Sequence, residues 1–356
     1  MEGRFLIALP KTGVPQSEPG RLLTVGKCIA ASACGARSRM AYRICYFWNE
    51  SGIFDGLQCT LQNKYFASVE NALTKHKVID MRVRPPAPGF ESLGLYWDKP
   101  RIARMTRDLG FGAPPSYLNN SMEDCLAEMD EAGVERAVIT GRLAGERMGR
   151  VDNKDIAALV ARHPDRFIGY AGVDIADVKA ARLALRDILE SPHFKGAVIE
   201  AGCANVPLYA DDATLTPIFG DCEDAGLPVL LMAGGNAGPD MTYSHPVQID
   251  RLAARHPKLQ IIAAHGSWPW VNEIIGVAYR RTNVWLSPDM YMFLPGWQMY
   301  VEAANGYMQD RFLFGTAYPA MPFSETVNRF VQLPFDESVI DRLLYGNAAR
   351  LLALRD

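Results

Sequence analysis

The run Ile79-Asp80-Met81-Arg82-Val83-Arg84-Pro85 sets two arginines at alternate positions near the end of a short apolar stretch. A guanidinium stays protonated in proteins, offers only donors and matches a carboxylate with its planar fork. Residues two apart on a strand share a face, so Asp80, Arg82 and Arg84 are expected to point inward together. Such a pair attracts an anion and repels a divalent cation. Taken alone, the two arginines read equally well as surface residues at a strand end. The residues that accompany them decide.

His265, in Ala264-His265-Gly266-Ser267, is the leading acid–base candidate because imidazole titrates near neutral pH. The rival reading is a structural histidine bonded to a neighbouring loop. Asp289, in Ser287-Pro288-Asp289-Met290-Tyr291, is either a base or a cap for the segment that follows. Glu200 closes Gly196-Ala197-Val198-Ile199-Glu200 and is either a water-activating carboxylate or a loop ion pair. Arg142, in Thr140-Gly141-Arg142, completes an anion pocket or faces solvent. Met232 reads as pocket lining, since a thioether is a poor ligand for hard cations. His163 and His256 precede prolines and read as capping or surface residues. The nominations are therefore His265, Asp289 and Glu200 for catalysis and Arg82, Arg84 and Arg142 for substrate binding, with no metal ligands and no cofactor.

From Lys77 onward, short apolar runs alternate with amphipathic stretches, the rhythm of βαβ units. Strands are expected at 78–82, 136–141, 167–173, 196–200, 228–232, 260–265, 284–287 and 312–315, with helices between them. Eight such strands close naturally as an α/β fold of the (β/α)₈ TIM-barrel type, with chemistry at the C-terminal strand ends. By alternation, Ile261, Ala263 and His265 should share the inward face of strand six, and Leu313, Gly315 and Ala317 that of strand eight, leaving Tyr318 turned from the centre. No Gly-x-Gly-x-x-Gly follows any strand, which argues against a dinucleotide site. The long proline-rich segment 85–118 is expected over the barrel mouth as a loop.

Taken in order, these motifs resemble the amidohydrolase superfamily, in particular the branch containing aminocarboxymuconate-semialdehyde decarboxylase. The resemblance covers residues 77–354. It rests on Ile79 to Arg84 against Ile-Asp-x-His-x-His, and on Pro228-Val229-Leu230-Leu231-Met232-Ala233-Gly234 against Pro-Val-x-x-His-x-Gly. It rests also on His265-Gly266, on Phe314-Gly315-Thr316-Ala317-Tyr318-Pro319 against Phe-Gly-Ser/Thr-Asp-x-Pro, and on the closing Tyr345-Gly346-Asn347-Ala348-Ala349-Arg350-Leu351-Leu352. The departures fall on the family's ligand positions: Arg82, Arg84 and Met232 replace histidines and Ala317 replaces the aspartate. A catalytic zinc site needs about three protein ligands, so the resemblance combined with these replacements implies a barrel without the family's metal.

Over 356 residues the chain is 49% hydrophobic and 22% charged with a net charge of −3, ordinary for a soluble protein and without a global pull toward nucleic acid or anionic membranes. No apolar run approaches the roughly 18 residues of a membrane span, and Phe5-Leu6-Ile7-Ala8-Leu9 is too short for a signal core; a cytoplasmic location is expected. Seven cysteines argue against a fully paired disulfide framework, and Cys125, Cys203 and Cys222 read as small buried hydrophobes. Residues 1–76 lack sustained periodicity and are expected to be a poorly ordered extension or the product of a start set too early, with the barrel at 77–356.

The expected function is a metal-independent enzyme on a small carboxylated substrate, with a lactone or ester hydrolase as the main reading. Paired arginines would fix the carboxylate and polarise a carbonyl, as a metal does elsewhere. The alternatives are a non-hydrolytic decarboxylase of an unsaturated or aromatic acid, and an inactive anion-binding barrel. No nucleic-acid or membrane partner is expected, and homo-oligomerisation is left open.

Overall fold

Runs of apolar and β-branched residues form one parallel sheet of seven strands paired in chain order: β1 (Val78–Val83), β2 (Val134–Thr140), β3 (Phe167–Gly172), β4 (Phe194–Ile199), β5 (Val229–Met232), β6 (Ile261–Ala264) and β7 (Val284–Ser287). The structure, a computed structural model, describes residues 76–354 and a hairpin at 47–49 and 52–54. The chain divides into two units, residues 1–68 and 69–356. In the first, Phe47–Asn49 pairs antiparallel with Gly52–Phe54. The rest of the expected extension, with Cys28, Cys34, Cys45 and Cys59, lies outside the described residues.

Helices fill the connections, among them Met122–Glu131, Asn153–Arg162, Val178–Glu190, Thr216–Asp224, Val247–Arg255 and Val271–Arg280. The expected eighth strand is the main departure. Residues 312–318 run between β7 and β1 but make only isolated parallel bridges, Leu286 with Phe312 and Val83 with Tyr318. Backbone bonds still close the ring there, from Leu313 N to Leu286 O at 2.8 Å and from Met81 N to Phe314 O at 3.0 Å. Thr316 ties the segment to β1, donating from its backbone N and its Oγ1 to Asp80 at 3.1 and 2.6 Å. A (β/α)₈ barrel results, with side-chain anchoring where a regular ladder was expected.

Strand parity differs from the sequence expectation. Ile79 and Met81, Val138, Ile168 and Tyr170, Val198, Leu230, Ile262 and Ala264, and Leu313 pack together in the barrel interior, capped below by Ala348 and Leu352. The opposite faces of the strands pack against the helices in a second, larger cluster. Regular alternation would therefore have turned Arg82 and His265 outward. A register irregularity between Asp80 and Val83 re-aims the end of β1, as bulges do. β6 ends at Ala264, and His265 follows in the left-handed region at φ 63°.

The segment expected to be a long loop over the mouth is folded. It carries helices at Gly94–Trp97, Lys99–Asp108 and Pro115–Asn119. Asp98 accepts from the backbone N of Arg101 at the start of the second of these, and Pro100 sits in its first turn, where a missing N–H costs nothing. Arg329 fastens the lid to the barrel: its guanidinium lies 4.0 and 4.7 Å from the ring centres of Phe111 and Phe293 and donates to Gly110 O at 3.2 Å.

Candidate functional site

At the C-terminal strand ends lies a cavity of about 70 Å³, several times the roughly 10–15 Å³ that one water needs. Its floor is set with Arg82, Arg84, Arg142 and His265, and the lid contributes Leu95, Arg101, Ile102 and Met105. All six nominated residues are buried here, but they divide into two groups.

The first group is a clamp. Glu200, at the end of β4, accepts from Arg142 Nη2 at 2.7 Å and from Arg84 Nη2 at 3.4 Å through the same oxygen. Arg84 is held further by Thr140 O at 3.1 Å and Gly141 O at 3.2 Å. Burial works against the Glu200 charge, but Arg142, Arg84 and Arg82 overcome it and hold the carboxyl at about 2. A carboxylate so acidic is a poor base. Of the two readings the sequence left open for Glu200, the ion pair is the one this geometry forms, and Arg84 and Arg142 are largely committed to it.

The second group is open. His265 Nδ1 and Asp289 Oδ1 are 2.6 Å apart, and the His265 backbone N donates to Asp289 Oδ2 at 3.2 Å. Facing a carboxylate, Nδ1 carries the proton, which leaves Nε2 as an acceptor. Burial lowers the His265 pKa, with Asp289 opposing and Arg82 and Arg84 assisting. Tyr291 packs edge-on against the imidazole at 5.2 Å. A Cβ at Gly234 would stand 2.6 Å from that of His265, so only glycine leaves room for the histidine's seat. Arg82 Nε lies 3.8 Å from Asp289 Oδ2, and its Nη2 is 3.6 Å from Met232 Sδ. Its Nη1 is buried without a hydrogen-bond partner among the described residues. A buried donor left unpaired is costly; the residue that carries it lines the cavity.

Asp80 is a buried anchor rather than a site acid. Burial raises its pKa to about 7 despite the bonds from Thr316 and the Arg82 backbone N. Three guanidiniums thus meet the carboxylates of Glu200 and Asp289, a surplus of cations around the cavity that suits an anionic ligand. Backbone strain gathers here too. His265, Ser267, Asp289 and Ala317 all have positive φ, a conformation costing about 1–3 kcal/mol each and concentrated at functional sites.

The sequence reading missed several lining residues. Arg101, Ile102 and Met105 come from the lid helix, and Tyr318 reaches the cavity edge with its hydroxyl 2.7 Å from Ser116 Oγ. Cys203, expected to be buried, is half-exposed and also lines the cavity. His256 is not a surface residue: it is buried, with Nδ1 3.1 Å from Glu223.

A parallel α/β barrel whose strand ends carry a cavity set with arginines and a histidine defines the class. The amidohydrolase family model matches residues 79–354, and the chain belongs to that family. A TIM-barrel protein of Bordetella bronchiseptica has a solved structure with 43% identity and a TM-score of 0.76, covering 78% of this chain and 98% of that one. Gamma-resorcylate decarboxylase of Polaromonas sp. is 23% identical over 64% of this chain and 85% of its own length. The solved dihydroxybenzoic acid decarboxylase of Polaromonas sp. JS666, with bound manganese and the inhibitor 2-nitroresorcinol, is 18% identical with a TM-score of 0.54, covering 79% and 98% of the two chains.

The residues present here do not fit such a metal. Among the described residues, no group of three or more His, Cys, Asp or Glu side chains could hold a metal ion. The side chains around His265 and Asp289 are instead Arg82, Arg84 and Met232, two fixed cations and a soft thioether. Nor, among the described residues, is any helix long and apolar enough to cross a membrane.

Proposed function

We propose that this protein is a carboxy-lyase that removes carbon dioxide from a small hydroxy-substituted aromatic acid without a bound metal. One observation carries the reading: Arg82, whose buried Nη1 has no hydrogen-bond partner among the described residues, lines the same cavity as an imidazole whose Nδ1 is held by Asp289 at 2.6 Å. Arg82 would grip the carboxylate and the adjacent hydroxyl oxygen. Nε2 of His265 takes the hydroxyl proton, Asp289 stabilises the imidazolium, and that proton passes to the ring carbon bearing the carboxylate. The carbon–carbon bond then breaks, its electron pair returns to the ring, and carbon dioxide leaves with a phenolate that takes a proton from water. Charge developing on the ring oxygen meets the Arg82 fork. Relatives named as decarboxylases of dihydroxybenzoates support this reading over the hydrolytic one.

Hydrolysis of a lactone remains the second reading, favoured by the same free Nε2, which could activate water against a carbonyl polarised by Arg82. The test is incubation with 2,6-dihydroxybenzoate, other 2-hydroxybenzoates and a lactone panel, following carbon dioxide and aromatic product. Carbon dioxide released in step with a decarboxylated phenol is the expected result. Lactone opening without carbon dioxide would establish hydrolysis instead, and tight binding without turnover would leave an anion-binding barrel.

A further inference from the structure

We infer that Arg101 forms a second anion subsite at the cavity mouth, so that the substrate carries a second carboxylate remote from the one held by Arg82. The inference rests on the reading above, in which Arg82 takes the first carboxylate. Arg101, Ile102 and Met105 lie at i, i+1 and i+4 on the lid helix Lys99–Asp108 and all line the cavity. Such spacing puts them on neighbouring faces of a helix, and here the cavity-facing side ends in a cation. Arg101 also borders two grooves that open from the mouth, which places it between the buried floor and solvent.

Among the described residues its guanidinium forms no ion pair with an acid. The nearby carboxylate of Asp98 accepts from the Arg101 backbone N at 3.3 Å, as a helix cap. The side chain's hydrogen bond goes to the thioether of Met148, at 3.7 Å, a weak acceptor. The remaining acids along these grooves are engaged elsewhere: Asp108 with Arg107 at 3.2 Å, and Asp240 with the backbone N of Thr242 at 2.8 Å. Arg147 borders the same groove as Arg101 and adds to the positive potential. Each floor arginine lies within 4.0 Å of a carboxylate; Arg101, at the mouth, does not, among the described residues. An arginine needed only to cover the lid's apolar side would not require its charge to face an opening whose acids, Asp108 and Asp240, are bonded to other groups.

Calorimetric titration with 2-hydroxybenzoate and with 4-hydroxyisophthalate, the same ring bearing a second carboxylate, tests the subsite. The wild-type protein should bind the dicarboxylate about three- to tenfold more tightly, the range for a partly exposed charge-assisted contact. Arg101→Met should erase that preference and leave 2-hydroxybenzoate unaffected. Arg101→Lys should retain part of it, and Arg107→Met, an exposed charge on the same helix, all of it. Equal wild-type affinity for the two probes, or a preference that survives Arg101→Met, would overturn the subsite while leaving the Arg82 reading intact. Failure of both probes to bind the wild-type protein would overturn the two together.

Discussion

Replacing Glu200 by glutamine removes the charge that two buried arginines share while keeping the shape of the side chain. Glu200 sits 2.7 Å from Arg142 and 3.4 Å from Arg84. Its carboxyl is held at about 2 rather than the ordinary 4.5, which at about 1.4 kcal/mol per decade corresponds to about 3 kcal/mol of stability. Breaking one partner of a buried pair costs a similar amount, about 3–5 kcal/mol, because the remaining charges are left uncompensated. The folded pKa is depressed, so this stability is fully present above the unfolded value and is lost as pH falls from about 4.5 toward 2. Urea unfolding of wild-type protein and Glu200→Gln should therefore differ by about 3 kcal/mol at pH 7, and the gap should narrow steadily on acidification. A gap below about 1 kcal/mol at pH 7, the value of an ordinary exposed pair, would refute the clamp. Glu200 would then return as a candidate base.

Arg82→Met should weaken 2-hydroxybenzoate binding by roughly tenfold to a hundredfold, the worth of one lost charge-assisted contact, with a small change in melting temperature; calorimetry and thermal melts check both. Because the His265 pKa is lowered by burial, the acidic limb of kcat/KM should fall below the ordinary imidazole value of 6.5. His265→Asn should abolish turnover while sparing binding, read from a pH–rate profile and a titration. Asp289→Asn should bring a large loss in kcat with KM little changed, since the imidazole would lose the partner that fixes its tautomer; an equal loss in KM would indicate a binding role.

Much of the barrel was legible in the sequence because parallel strands buried on both faces leave short apolar runs that turn signals bracket. Seven of the eight expected strands are present, with ends displaced by a residue or two, as at β2, which begins at Val134 rather than Arg136. The eighth was over-read as a regular strand because Phe312-Leu313-Phe314 has strand composition, whereas its pairing is reduced to isolated bridges and supplemented by Thr316 bonding to Asp80, a tertiary event without a local signal. The positions of Arg82 and His265 were anticipated, but by a parity argument that the inner packing of Met81 and Ala264 contradicts; a bulge and a positive φ brought them inward. Glu200 could not be assigned from sequence, because counter-ion and base look alike until Arg84 and Arg142 are seen converging on one oxygen. Arg101 was hidden in a segment whose prolines suggested a loop.

The central claim is that guanidinium and imidazole act here without a metal, whereas the solved Polaromonas decarboxylase holds bound manganese. Protein treated with a strong chelator should be assayed in deuterated water with 2-hydroxybenzoate or 4-hydroxyisophthalate labelled with carbon-13 at the ring-hydroxyl-adjacent carboxyl. Labelled carbon dioxide should appear together with a phenol carrying one deuterium at the vacated ring carbon, at a rate that added manganese or zinc does not raise. A rate that vanishes on chelation and returns with one equivalent of metal would contradict the account, as would bound substrate recovered with its label intact and no carbon dioxide released.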